Sequence, residues 1–181
     1  MSNRLLLKVG ALVLPFLLIF GALAAAGGGL SRFFSRLFAG SAYEDHVHGP
    51  YTIFTRKGSR DHEAAARVLD EFTEQIVARY GANLHLQRPP AGPNGLKIHL
   101  LEKREELEKY GLTRLQSDLA NNGGYFLAEK LEIALVLSPQ YPEANDRGLR
   151  HEMTHALMHL SKTDLDWPAW LSEGMASYFE S

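Results

Sequence analysis

The sequence predicts an α+β domain preceded by an apolar N-terminal helix. Three observations carry that prediction. Residues 9–26 form an eighteen-residue run without a charge. From Tyr51 onward, short runs rich in β-branched and aromatic residues are interspersed with longer stretches whose apolar residues recur at helical spacing. Two of the strand-like runs, 125–127 and 131–137, follow each other without a helix between them, which argues for an antiparallel hairpin and against a purely alternating α/β order.

The N-terminal run, as a helix, would be about 27 Å long, close to the roughly 30 Å hydrocarbon core of a bilayer. Arg4 and Lys8 precede it and Arg32 and Arg36 follow, with no acidic residue before position 41. The expectation is a segment over residues 1–39 that inserts into a membrane and holds the following domain outside the cytoplasm. The small residues Ala24, Ala25 and Ala26 also suit signal cleavage, which would release a secreted domain. Leu30, Phe33, Phe34, Leu37 and Phe38 suit a helix lying on the membrane surface. The rest of the chain carries 15 basic and 21 acidic side chains, the wrong sign for a nucleic-acid binder. There are no cysteines, so disulfides and thiolate metal sites are excluded.

Residues 40–50 read as a linker, with Asp45, His46 and His48 as solvated polar residues and no downstream partner to complete a metal site. The domain is expected over 51–181. Its first strand is Tyr51 to Thr55. Ser59 or Asp61 then caps a helix whose Ala65, Val68, Leu69, Phe72, Ile76, Val77 and Tyr80 form one apolar face, stopped by Gly81. His62 and His85 stand alone and read as surface. After the Pro- and Gly-rich turn 88–95, a strand at 96–101 puts Leu96, Ile98 and Leu100 on one face and Lys97 and His99 on the other, with His99 at the surface. Residues 102–110 are a charged helix ended by Gly111, and 113–119 a short further helix. Asn121-Asn122-Gly123-Gly124 breaks the chain before the hairpin. Pro139 and Pro142 bracket a loop, and the next helix is expected from Asn145 or Asp146.

That helix carries His151-Glu152-Met153-Thr154-His155. One helical turn separates His151 from His155, so both imidazoles face one point. Glu173, separated from His155 by seventeen residues, falls on a second helix that Asp166 caps and Pro168 begins, and Gly174 is expected to let the two helices approach. Two His and one carboxylate leave a fourth coordination position open, the pattern of a catalytic zinc site. His151, His155 and Glu173 are therefore the candidate metal ligands, Zn²⁺ the expected cofactor and Glu152 the candidate general base acting on zinc-bound water. His159 drifts off the ligand face and reads as a packing or supporting residue. Ser177 is a candidate hydrogen-bond partner for a ligand, and Tyr178 a core residue.

The pair of motifs, His151-Glu152-Met153-Thr154-His155 and Trp170-Leu171-Ser172-Glu173-Gly174-Met175-Ala176-Ser177-Tyr178-Phe179, resembles the gluzincin metallopeptidases. It is most similar to the bacterial peptidase MA-like domains. The resemblance implies a zincin-like fold: a mixed sheet whose antiparallel edge strand lies along the cleft beside the active-site helix and pairs with an extended peptide or protein substrate. It also implies zinc on His151, His155 and Glu173 with Glu152 as base. The Gly-x-Met-Glu-Asn motif of the related aminopeptidases is missing, which points to an endopeptidase. Gluzincins usually add a lobe that closes the cleft, and the eight residues after Glu173 leave no room for one. The domain is thus expected to be incomplete, to use another oxyanion donor, or to be weakly active. The alternative function is a zinc-stabilised, membrane-anchored binding or scaffold domain.

Overall fold

A computed structural model describes residues 42–114, 123–161 and 167–181. Within them, β1 (Tyr43–His48), β2 (Tyr51–Arg56), α1 (Asp61–Leu84), β3 (Leu96–Leu101), α2 (Arg104–Arg114), β4 (Gly124–Leu127), β5 (Glu132–Val136), α3 (Pro142–His159) and α4 (Ala169–Phe179) follow in order. The class is α+β, as expected from the sequence. Five strands make one mixed sheet in the order β1-β2-β3-β5-β4. Its centre is parallel, β2 with β3 and β3 with β5, and both outer pairs, β1 with β2 and β4 with β5, are antiparallel.

Strand alternation divides the side chains between two layers. Ile53, Leu96, Ile98, Leu100, Ile133 and Leu135 point to the face covered by α1 and α3, where they meet Leu69, Phe72, Met153 and Leu157. The core face of β3 is therefore the one its alternation predicts. The opposite face is thinner. There Leu101 and Ala134 pack with Leu107 of α2.

That thinner layer holds a polar network absent from the sequence reading. Glu132 is fully buried and forms an ion pair with Lys97 at 3.2 Å. The hydroxyl of Tyr110 donates to its other oxygen at 2.8 Å. His99, expected at the surface, lies instead under α2, stacked on Phe54 with ring centres 4.6 Å apart and 3.9 Å from the Glu132 carboxylate. A polar residue on the second face of a sheet looks solvent-exposed until a helix is laid over it. Removing the donor should cost about 1–2 kcal/mol of unfolding free energy in Tyr110→Phe, measured by urea denaturation, since a buried carboxylate loses one of its hydrogen bonds.

Four further expectations need correction. The stretch 43–48 is an edge strand and not a linker; it pairs with all six residues of β2 through the two-residue turn Gly49-Pro50. Gly49 has φ +54°, the sign a tight hairpin wants at its first central position. α1 runs through Gly81 to Leu84 and ends on His85, which takes a left-handed conformation. α2 likewise runs through Gly111 to Arg114. α3 begins at Pro142, where proline lacks only an N–H that would be unpaired anyway. Asn145 instead staples the preceding loop, its side chain bonded to both the N–H and the carbonyl of Ser138.

The expected membrane segment at 1–39, the rest of the 113–119 helix, Asn121, Asn122 and the Asp166 cap lie outside the described residues. Among the described residues no helix is long and apolar enough to cross a membrane.

Candidate metal centre

α3 is fixed by its apolar stripe. Leu149, Met153, Ala156 and Leu157 are buried against the sheet and α1, at the i, i+4, i+7, i+8 spacing of a helix that packs by one face. That stripe turns His151, Glu152 and His155 toward an open cleft of about 930 Å³ between β4, α3 and α4. Buried Ala176 helps seat α4 against the domain, leaving Glu173 at the mouth of the cleft.

The structure brings the three predicted ligands together. Nε2 of His155 lies 3.3 Å from Nε2 of His151. The two carboxylate oxygens of Glu173 lie 3.4 Å from His151 Nε2 and 3.5 Å from His155 Nε2. Donors about 2.0–2.1 Å from a tetrahedral metal stand roughly 3.3–3.4 Å apart, so each of these contacts is close to the spacing of two ligands on one ion, with Glu173 turning a different oxygen to each imidazole. Among the described residues this is the one group of three donors that gathers so closely, and it could hold a metal ion.

The other ring nitrogens are also held. His151 Nδ1 is 2.7 Å from a carboxylate oxygen of Glu180, and His155 Nδ1 is 2.9 Å from the hydroxyl of Ser172. A carboxylate accepts only, so Nδ1 of His151 carries the proton and Nε2 keeps its lone pair for a metal. Burial holds His155 below the usual histidine range, Glu173 drawing it up and His151 pushing it down. A depressed imidazole is the neutral form that coordinates.

Glu152 is placed differently from the three donors. It is only 8% exposed, and burial, opposed by His151 and reinforced by Glu173, raises its carboxyl from 4.5 to about 7. The Phe126 N–H also reaches it, which favours the anion. β4 is the outermost of the described strands on that side. The Gly123 carbonyl accepts from Val136 on β5. Alternation then turns the backbone groups of Gly124 and Phe126 outward, toward Glu152 and the cleft.

Sequence reasoning missed Glu180 and Ser172. Glu180 lies seven residues after Glu173, two helical turns along the same face, and that spacing was the available signal. The expected partner, Ser177, is exposed. Tyr178, expected in the core, is 68% exposed, and a Cβ on Gly174 would meet nothing within 4 Å among the described residues, so it is not a helix contact. All three lie on the outer face of α4. His159 lines the cleft with its ring 5.8 Å from that of Phe126.

Exchanging Glu180 for Gln should weaken metal binding about tenfold, the lower end of what such supporting partners are worth, because the amide oxygen still accepts from Nδ1. Competition with a chromophoric chelator measures it. No family model matches the chain. No curated protein matches it either.

Proposed function

We propose that this chain is a zinc-dependent metallopeptidase of the gluzincin type with a zincin-like fold, cutting peptide bonds within chains. The observation that carries the reading is the cluster of His151, His155 and Glu173, with donor contacts of 3.3, 3.4 and 3.5 Å, and a second carboxylate, Glu152, buried beside it. Two imidazoles and a carboxylate are a donor set that suits zinc, and three donors leave the metal open to water and substrate. Zinc held there supplies a Lewis acid that acidifies water and polarises a carbonyl.

The remaining work falls to the chain's own residues. Glu152 accepts the proton of the attacking water and returns it to the leaving amine. A carboxyl titrating near 7 suits both directions of that transfer at neutral pH. Glu180 holds the His151 imidazole in the tautomer that points Nε2 at the metal, and Ser172 orients the ring of His155. The outward backbone groups of Gly124 and Phe126 offer an extended peptide an antiparallel partner, so that its scissile bond is drawn across the mouth of the cleft. A buried base without a hydrolytic task would be a cost to a scaffold, which is why the burial of Glu152 favours the enzyme.

The test takes the full chain, measures its zinc by elemental analysis and incubates it with a mixed peptide library before and after chelation. About one zinc per chain at this centre and cleavage inside the peptides, lost on chelation and restored by zinc, are the expected results. Zinc binding without cleavage of any peptide would sink the enzyme reading. Absence of zinc from this centre would remove both the enzyme and the scaffold.

A further inference from the structure

The edge strand β1 brings a second histidine cluster into being. His46 and His48 sit two residues apart and so project from the same face of β1, the face that also carries Tyr51 and Ile53 through the register His46↔Ile53 and His48↔Tyr51. α1 crosses that face. His62 in its first turn stacks on His46 with ring centres 3.5 Å apart and planes within 2° of parallel. Two turns further along α1, Asp70 meets His48 at 2.6 Å. Between them Ala66, small and buried, floors an open cavity of about 850 Å³. His62, which sequence alone leaves isolated, is thus the downstream partner that His46 lacked.

Three details turn this stack into a donor set. His62 Nδ1 lies 3.2 Å from the carbonyl oxygen of Ser59. A carbonyl only accepts, so Nδ1 carries the proton and Nε2 keeps the lone pair. The Nε2 atom of His46 is buried and has no hydrogen-bond partner among the described residues. Glu44, anchored by the Gly58 N–H at 2.8 Å, presents an oxygen 3.7 Å from that same atom. The cavity is lined by Asp45, Glu63, Asp70 and Glu71 against a single Arg67, so its field favours a cation.

We propose that His46 and His62, with Glu44 as third donor, form a second binding site for a divalent transition metal, independent of the centre on α3. Imidazole with a carboxylate suits Zn²⁺, Ni²⁺ or Cu²⁺. The rings lie parallel at 3.5 Å, so binding has to turn them until both Nε2 atoms converge on the ion, which the broad torsion of an imidazole about its Cβ–Cγ bond permits. Because the donors have to close on the ion, this site binds more weakly than the preformed cluster at His151. His48 and Asp70 bind each other at the far end of the cavity and tie β1 to α1. A metal at His46 and His62 would make a second tie between the same elements.

The experiment titrates Zn²⁺ into the full 181-residue chain after chelator treatment, alongside His62→Gln, His46→Asn and His155→Ala. The unsubstituted chain is expected to bind about two equivalents, and each of the three variants about one. If His62→Gln and His46→Asn bind as much zinc as the unsubstituted chain, the second site does not exist. A chain whose only equivalent is lost in His62→Gln and kept in His155→Ala would support this site while overturning the α3 centre. Circular dichroism follows the fold of each variant. A readout that needs no variant is Cu²⁺ added to the chain carrying one equivalent of zinc, which fills the tighter centre on α3. Its paramagnetic resonance should carry coupling to two imidazole nitrogens, and a spectrum without nitrogen coupling overturns the proposal.

Discussion

Glu152→Gln should reduce peptide hydrolysis by about 10³-fold while zinc binding stays within a fewfold of the parent. The size follows from what a positioned general base contributes, on the order of 10²–10⁴. The amide keeps the shape of the side chain and can still touch the Phe126 N–H, but it cannot take a proton. The three donor atoms are on other residues, so the metal has no reason to leave. Steady-state cleavage of a fluorogenic peptide, with zinc measured in the same preparation, separates the two effects. If hydrolysis survives the exchange, Glu152 is not the base.

The same variant should be the more stable one when both chains are metal-free. In the folded chain the Glu152 carboxyl titrates near 7 against an ordinary 4.5. Between those values the folded state holds a proton that the unfolded state releases. The stability of a group so raised is complete below about pH 4.5 and falls as the pH climbs through about 7, by up to roughly 3 kcal/mol. His155, held low by burial, tilts the curve the other way as the pH falls through the ordinary histidine range. The informative quantity is therefore the difference between the two chains. Urea midpoints in chelator should diverge in favour of Glu152→Gln between about pH 5 and 7.5. Parallel curves would mean that the buried carboxylate is not strained in the apo fold.

The pattern of what the sequence makes visible has a physical basis. His151, Glu152 and His155 are readable because a helix converts a spacing of four into proximity, whatever packs around it. Glu173 is readable because its motif has a recognisable shape. Glu180 acts through the same helical geometry, yet nothing in a lone glutamate near a helix end separates it from an ordinary surface residue. In the parallel centre, β3 is legible from Leu96, Ile98 and Leu100 alone. By contrast β1, with Glu44, His46 and His48 among its six residues, is too polar to look like a strand. It holds its place by pairing with β2 and by contacts to α1 that no local pattern encodes. The same holds for His99 and Glu132, whose burial depends on α2 crossing the second face of the sheet. Residues placed by local periodicity can be read from the chain, whereas residues placed by which element covers them cannot.

Gly124→Val tests whether the position of the base, and not only its identity, comes from the edge strand. A Cβ built on Gly124 would stand 3.0 Å from Oε1 of Glu152, 2.8 Å from Cδ1 of Leu135 and 3.2 Å from the carbonyl oxygen of Ala134. The leucine methyl can swing away, but the Ala134 carbonyl belongs to the ladder between β4 and β5 and has little freedom. The larger valine leaves Glu152 as the group that must move, and a base displaced by about 1 Å costs on the order of 10²-fold in rate. None of the contacted atoms is a metal donor, so zinc affinity should hold while kcat falls. Restoring a small residue in part, with Gly124→Ala, should recover some of the rate. If Gly124→Val loses zinc as well, the strand shapes the metal centre directly. If it loses neither zinc nor rate, Glu152 has room to work from more than one position, and the close approach of β4 to α3 serves packing alone.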